Sequence, residues 1–194
     1  MTVLEVAYPN WRELSVHEAA PGNRGASVKL RQECAAYVGS QFYPRAQFGT
    51  IVSGYRNEDL EHQTFLDESF DLVVTQDVME HVYRPEKAFA EIARTLKPGG
   101  AHVFTVPIIN KHKPTEVWAT LGEGGKPNFL KTPEFHGNPV DPTGSPVTMH
   151  WGFDIIDFIG VHGGLNTTIE HLDDLSRGIR AEYIEVLVSR KPLS

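Results

Sequence analysis

The chain predicts an α/β fold built on an open, mostly parallel sheet, and three consecutive features carry that prediction. The stretch FDLVVTQD, residues 70–77, packs Leu72, Val73 and Val74 together without alternation, as strands buried on both faces do. A helix pattern follows, with Pro85 suited to a first helical position and Phe89, Ile92, Ala93 and Leu96 recurring on one face. Gly99 and Gly100 then end the helix by admitting positive φ, and AHVFTVP reads as the next strand. Strand, helix and strand in this order form a parallel pair with a right-handed crossover, and ligands of such sheets sit beyond the carboxyl ends of the strands. Glu18, Gln76 and Asp77 lie at those ends.

The other elements follow in chain order. ELSVHE, residues 13–18, is a short strand that ends in the turn-forming AAPGNRG. SVKLRQECAAYV is either a short helix or a helix passing directly into a strand. GTIVSGY is a further strand candidate, followed by the acidic RNEDLEH. Within the central helix Glu86 complements the positive helix end, and Lys87 and Glu91 share its exposed side. Beyond Pro107 the texture changes: residues 107–151 hold seven of the 13 prolines and the run LGEGGKPN, with little periodicity. Long irregular segments in compact domains are more often functional than decorative, so this insert is read as a lid, the alternative being a solvated excursion. GFDIIDFIGVHGG is a helix closed by glycines, and NTTIEHL and AEYIEVLVSRKP are two last strands. No repeat or low-complexity tract interrupts the chain, and residues 1–194 read as a single domain.

Composition excludes several function classes. A net charge of −7, with no Lys/Arg run longer than two residues, gives little attraction for phosphate backbones or anionic lipid. Nucleic acid is not expected as a partner. The lone Cys34 has no internal disulfide partner, and the first residues lack the basic and apolar regions of a signal peptide, which points to a reducing, cytoplasmic setting. No apolar run approaches the roughly 20 residues that span a bilayer.

The segment FDLVVTQDVMEHVYRPEKAFAEIARTLKPGGAHVFTVP resembles the central part of class I S-adenosylmethionine-dependent methyltransferases, particularly the group that includes quinone-biosynthesis methyltransferases. The resemblance rests on the acid that opens the strand, the EHV turn, the PEKAF helix start, RTLKPGG and a following strand that ends in Val-Pro. It implies a Rossmann-like sheet of seven strands in the order 3-2-1-4-5-7-6, the seventh antiparallel, with helices on both faces. S-adenosylmethionine is the implied cofactor; the acidic charge, which disfavours nucleic acid, makes a polar small molecule or a sugar or lipid precursor the expected acceptor.

Carried over residue by residue, the resemblance places Glu18 at the acid and Ala20 and Gly22 at the first two glycines of the family's cofactor loop, while Arg24 replaces the third and Gly25 falls one place late. The ribose acid is absent, Ser40 and Gln41 being the nearest residues, and an uncharged Gln41 would bond a ribose at roughly half the strength of a charge-assisted contact. Asp59 matches the adenine-binding position with Leu60 beside the base, and Gln76 and Asp77 border the methionine moiety and the acceptor. Because the sulfonium is already activated, the protein contributes proximity, orientation and at most a base. Candidates for that base are Asp77, His81, His136 and His150, the last read as opening the late helix. The chain begins almost at its first strand, so either the segment after Pro107 or a neighbouring chain, in a homodimer or as a partner domain, is expected to cover the site.

The intact central segment favours an active methyltransferase; the altered glycine loop and missing ribose acid favour a binding or scaffolding domain that kept the fold. YRPEK has the Tyr-x-x-x-Lys spacing of short-chain dehydrogenases, but Pro85 interrupts it and no matching glycine loop precedes it. GEGGK lacks the spacing and hydroxyl of a phosphate-binding loop. The nine histidines show no metal-ligand spacing along the chain, and no metal is expected.

Overall fold

A computed structural model of the protein describes residues 1–138 and 140–193. In chain order the elements are helix α1 (Thr2–Ala7), strand β1 (Ser15–Ala19), helix α2 (Ala26–Glu33), strands β2 (Ala36–Gln41), β3 (Ile51–Val52), β4 (Tyr55–Asn57) and β5 (Phe70–Gln76), helix α3 (Pro85–Thr95) and strand β6 (Leu96–Thr105). Six short strands follow: β7 (Glu116–Val117), β8 (Ala119–Leu121), β9 (Pro127–Phe129), β10 (Phe135–His136), β11 (Ser145–Pro146) and β12 (Met149–His150). Helix α4 (Ile155–Gly163) and strands β13 (Asn166–His171) and β14 (Glu185–Arg190) complete the described chain.

Eight strands share one sheet in the order β13-β14-β6-β5-β1-β2-β4-β3. Pairing is parallel from β6 through β5, β1 and β2 to β4, whereas β14 runs antiparallel to both β6 and β13. The expected order is therefore present, with one two-residue strand added at the far edge. That addition arises because GTIVSGY is a hairpin: Ser53 and Gly54 both take positive φ and turn β3 back on β4. SVKLRQECAAYV resolves into α2 and β2, separated by Cys34 and Ala35.

Both faces of β5 are buried, as its unbroken apolar run requires. Leu72 and Val74 meet Val16, Val103 and Val188 under α1 and α2, while Val73 joins Phe89, Ile92, Phe104 and Ile159 under α3 and α4. Helix α1, which the sequence pattern did not show, fills the first face with Val3 and Leu4. Among the described residues no helix is long and apolar enough to cross a membrane.

Two local expectations need correction. Helix α3 ends at Thr95, before the glycines, because Pro98 disfavours a helical Lys97 and the chain is already extended at Leu96. Gly99 and Gly100 serve the strand that follows: Gly99 has φ +77, and a Cβ on Gly100 would stand 2.8 Å from the Asp71 carbonyl oxygen. Residues 107–151 are also more regular than their composition suggests, forming the pairs β7–β12, β8–β9 and β10–β11. The glycines of GEGGK make the tip of the β8–β9 hairpin, where the Gly122 N–H donates to the Lys126 carbonyl.

Two histidines lie wholly buried in the sheet. His17 Nε2 is 2.8 Å from Ser40 Oγ and His102 Nε2 is 2.9 Å from Thr75 Oγ1, and neither Nδ1 has a partner. Burial, assisted by the Arg56 charge at His17 and by His17 at His102, pushes both from the ordinary 6.5 down to about 3. Between those values the unfolded chain binds more protons than the folded one, so stability falls as the pH drops. Each histidine contributes a slope of about 1.4 kcal/mol per pH unit across the window. Urea titrations at several pH values should show this acid-side loss, and His102→Gln should reduce its slope.

Candidate functional site

The parallel strands β1, β5 and β6 deliver their carboxyl ends to one edge of the sheet, and most of the anticipated site residues gather there. Glu18 is fully buried on β1. Its Oε1 accepts from Ser27 Oγ at 2.6 Å and Gln76 Nε2 at 2.8 Å, and its Oε2 accepts from Tyr37 OH at 2.8 Å. Ser27 Oγ in turn accepts from the Gly22 N–H and from Gln76 Nε2. Glu18 thus pins the loop of residues 20–25 to the start of α2 and the end of β5. Burial and the Glu18 charge push the Tyr37 hydroxyl upward, so it stays a donor.

The loop keeps the backbone freedom of a glycine motif with fewer glycines. Ala20 has φ +54, held by its N–H to the Ser40 carbonyl, and Gly25 has φ +61 at the start of α2. A Cβ on Gly22 would meet nothing nearer than Ser27 Oγ at 3.8 Å, so this part of the loop is open. Arg24 is exposed.

Gln41, at the end of β2, is buried and turns back towards the loop, with Nε2 3.4 Å from the Pro21 carbonyl. Asp59 follows β4 and is half-buried; one oxygen accepts from the Glu61 N–H at 2.9 Å, and burial pushes its carboxyl above the usual range. Leu60 packs at the margin of the core beneath α3.

The turn after β5 carries the remaining candidates. Asp77 is exposed with φ +52, its backbone N–H donating to the Thr105 carbonyl and its Oδ1 accepting from Thr105 Oγ1 at 3.0 Å. His81 Nδ1 lies 2.9 Å from the Pro146 carbonyl oxygen, which makes Nδ1 the protonated nitrogen and leaves a lone pair on Nε2. Burial holds this imidazole below its usual pKa. Glu80 is buried, neither carboxylate oxygen has a hydrogen-bond partner, and desolvation raises its pKa to about 8 with help from the Asp77 charge.

Residues 107–151 return to this turn. The Glu80 carbonyl accepts from both the Thr148 N–H and Thr148 Oγ1, and Trp151 Nε1 donates to the Met79 carbonyl. This docking brings His136 Nδ1 to 3.6 Å from Glu80 Oε1, as near as His81 Nε2. Glu134 spans His136 at 3.3 Å and His150 at 3.0 Å, and Trp118 stacks on His150 with ring centroids 3.7 Å apart. His150 is therefore a fixed, buried member of β12 and does not open α4, whose N-cap is Asp154.

The structure brings together Glu18, Ala20, Gly22, Gln41 and Gln76 around the loop, and Asp77, His81, His136 and His150 around the turn. Ser27, Tyr37, Glu80 and Glu134 were not anticipated. For Ser27 and Glu80 a signal existed, a hydroxyl in the first turn of the helix after the loop and an acid beside His81. Glu134 became visible only through the pairing of the insert.

Residues 19–104 match the family model described as a methyltransferase domain. The strand order is that of the class I S-adenosylmethionine-dependent methyltransferase fold. An S-adenosylmethionine-dependent methyltransferase from Mesorhizobium loti has this fold, with a TM-score of 0.62, 18% identity and coverage of 98% of this chain and 96% of that one. The ubiquinone biosynthesis O-methyltransferase of Coxiella burnetii (strain Dugway 5J108-111) is 26% identical over 135 residues, 67% of this chain and 54% of that protein. Dimethylglycine N-methyltransferase of Parasynechococcus marenigrum (strain WH8102) is 46% identical over 48 residues, 25% of this chain and 17% of that protein. The chain thus spans about half the length of the first of these curated relatives and less of the second.

Ser27 is the junction of the loop network. Ser27→Ala should destabilise the protein by about 1–3 kcal/mol in urea unfolding, the cost of leaving a buried carboxylate oxygen and the Gly22 N–H short of partners.

Proposed function

We propose that the domain is an active methyltransferase that passes a methyl group from S-adenosylmethionine to a small-molecule acceptor held between the strand ends and residues 107–151. The observation that carries this reading is the docking of Thr148 and Trp151 onto the turn after β5. Through it Trp118 and Glu134, bonded to Thr148 and Val147, and His136, beside Glu80, stand at the turn that Asp77 begins, and the chain's own segment is read as the cover of the site. The relatives named above act on oxygen and on nitrogen, and the fold does not choose between such acceptors.

The residues present fit the cofactor. The space at Gly22, the positive φ of Ala20 and Gly25, and the half-buried Asp59 with one oxygen free of protein partners suit close backbone approach at one end and an amino-group donor at the other. Ala20, Gly22 and Gln76 would border the methionine moiety, Gln41 the ribose, and Asp59 and Leu60 the adenine, while Glu18 acts through the loop that it holds. When bound, S-adenosylmethionine supplies an activated methyl group, so the protein's task is alignment. Asp77 is proposed as the proton acceptor for the incoming nucleophile, being exposed at the strand end and held by Thr105. His81 and His150, bound to Pro146 and Glu134, shape the acceptor wall.

A second reading, a cofactor-independent binding domain, is favoured by the burial of Glu18 and by Gln41 turning towards Pro21. Titration calorimetry separates the two: the enzyme reading requires heat with S-adenosylmethionine or S-adenosylhomocysteine at millimolar ligand, and silence with both would refute it. Asp59→Ala should weaken the measured affinity by about 1–3 kcal/mol while leaving the fold intact, as loss of a buried hydrogen-bond partner does.

Hydrogen exchange tests the covering segment. Added S-adenosylhomocysteine should raise protection across residues 119–145, whereas 147–151, already buried, should be protected without it. No change across 119–145 would make the segment a fixed wall rather than a lid.

A further inference from the structure

We infer that Glu80, His81 and His136 form a binding site for a divalent transition-metal cation of the zinc class, with a coordination position left for water or a substrate oxygen. One ligand atom from each residue lies within 4.8 Å of the other two. His81 Nε2 and His136 Nδ1 each stand 3.6 Å from Glu80 Oε1, close to the edge of about 3.3 Å expected between tetrahedral ligands of zinc. The inference concerns cation binding alone and does not depend on methyl transfer.

The strongest observation is Glu80 itself. Its side chain is 2% exposed and both oxygens lack a partner. Burying a carboxylate without compensation costs far more than leaving it in water, and a protonated Glu80 would still need an acceptor for its O–H. The imidazole nitrogens of His81 and His136, each at 3.6 Å, are beyond hydrogen-bond reach. A cation between the three groups compensates the charge and uses the lone pairs that face it.

The surroundings orient the ligands as metal sites require. His81 donates Nδ1–H to the Pro146 carbonyl, leaving Nε2 for the cation. His136 has Nε2 3.3 Å from Glu134 Oε1, an N–H to carboxylate contact that leaves Nδ1 for the cation. The other Glu134 oxygen is held by His150, which Trp118 stacks upon, so this outer carboxylate is itself fixed. Two imidazoles and one carboxylate suit zinc, cobalt or ferrous iron better than magnesium or calcium, which prefer oxygen. His136 is the most open of the three, with 35% of its side chain exposed, and gives the entry path.

Cobalt(II) is the probe. Protein stripped with chelator and titrated with cobalt(II) should bind one equivalent with visible d–d absorption, which zinc should abolish by displacement. Glu134→Gln should weaken binding roughly 10–100-fold, as loss of an outer partner does, and Glu80→Gln and His136→Gln should weaken it further. His162→Gln, on α4 and outside the cluster, should bind like the wild type. Glu80→Gln keeps the side-chain shape and removes the buried acid, so it remains decisive if His136→Gln misfolds. Absence of cobalt absorption in the wild type, or unchanged affinity in folded Glu80→Gln or His136→Gln, would overturn the site.

Discussion

Burial of β5 on both faces is the constraint from which the rest of the molecule follows. A strand covered by helices on both sides cannot satisfy its backbone with water, so it must be paired along both edges, here by β1 and β6 in parallel. Parallel pairing needs crossovers, and crossovers of one hand collect the outgoing loops at one end of the sheet. The loop after β1, the turn after β5 and the long segment after β6 therefore meet without further instruction. Every residue discussed as a site is drawn from these three connections, their neighbours on β2 and β4, or the elements they touch.

Two buried carboxylates at that edge illustrate opposite solutions to the same cost. Glu18 is fully enclosed, yet its oxygens take bonds from Ser27, Gln76 and Tyr37, so its charge becomes the joint that holds the loop. Glu80 is nearly as enclosed and neither of its oxygens has a hydrogen-bond partner, the imidazole nitrogens of His81 and His136 standing beyond hydrogen-bond distance. The first arrangement is structurally complete with protein alone. The second is complete only with a proton or a cation, and a proton lacks an acceptor there.

The altered glycine loop shows how a motif's geometry outlasts its letters. Ala20 takes the positive φ that a glycine would supply, held by the Ser40 carbonyl, and Gly25 supplies a further turn where Arg24 leaves the pattern. The strain of a non-glycine residue in that conformation is of order 1–3 kcal/mol and persists because Glu18 and Ser27 fix the segment on both sides. The same reliance on neighbours explains His150, whose role is set by Trp118 and Glu134.

The sequence by itself determined the sheet's centre and the helix that follows it, because apolar periodicity and Pro or Gly punctuation act over a few residues, and its resemblance to a known family implied the order of the strands and the antiparallel pairing of the last. It also placed Glu18, Gln76 and Asp77 at strand ends, and the resemblance placed Asp59 after one. Tertiary structure alone decided what those residues touch. Helix α1 has too few residues to show a period, and the helix stop at Thr95 depended on Pro98 rather than on the more conspicuous glycines. The cluster of Glu80, His81 and His136 joins adjacent residues to one supplied by a distant segment, so no local spacing announces it. Such a site exists only after Thr148 and Trp151 have docked on the turn, since long-range packing sets the distance between its ligands.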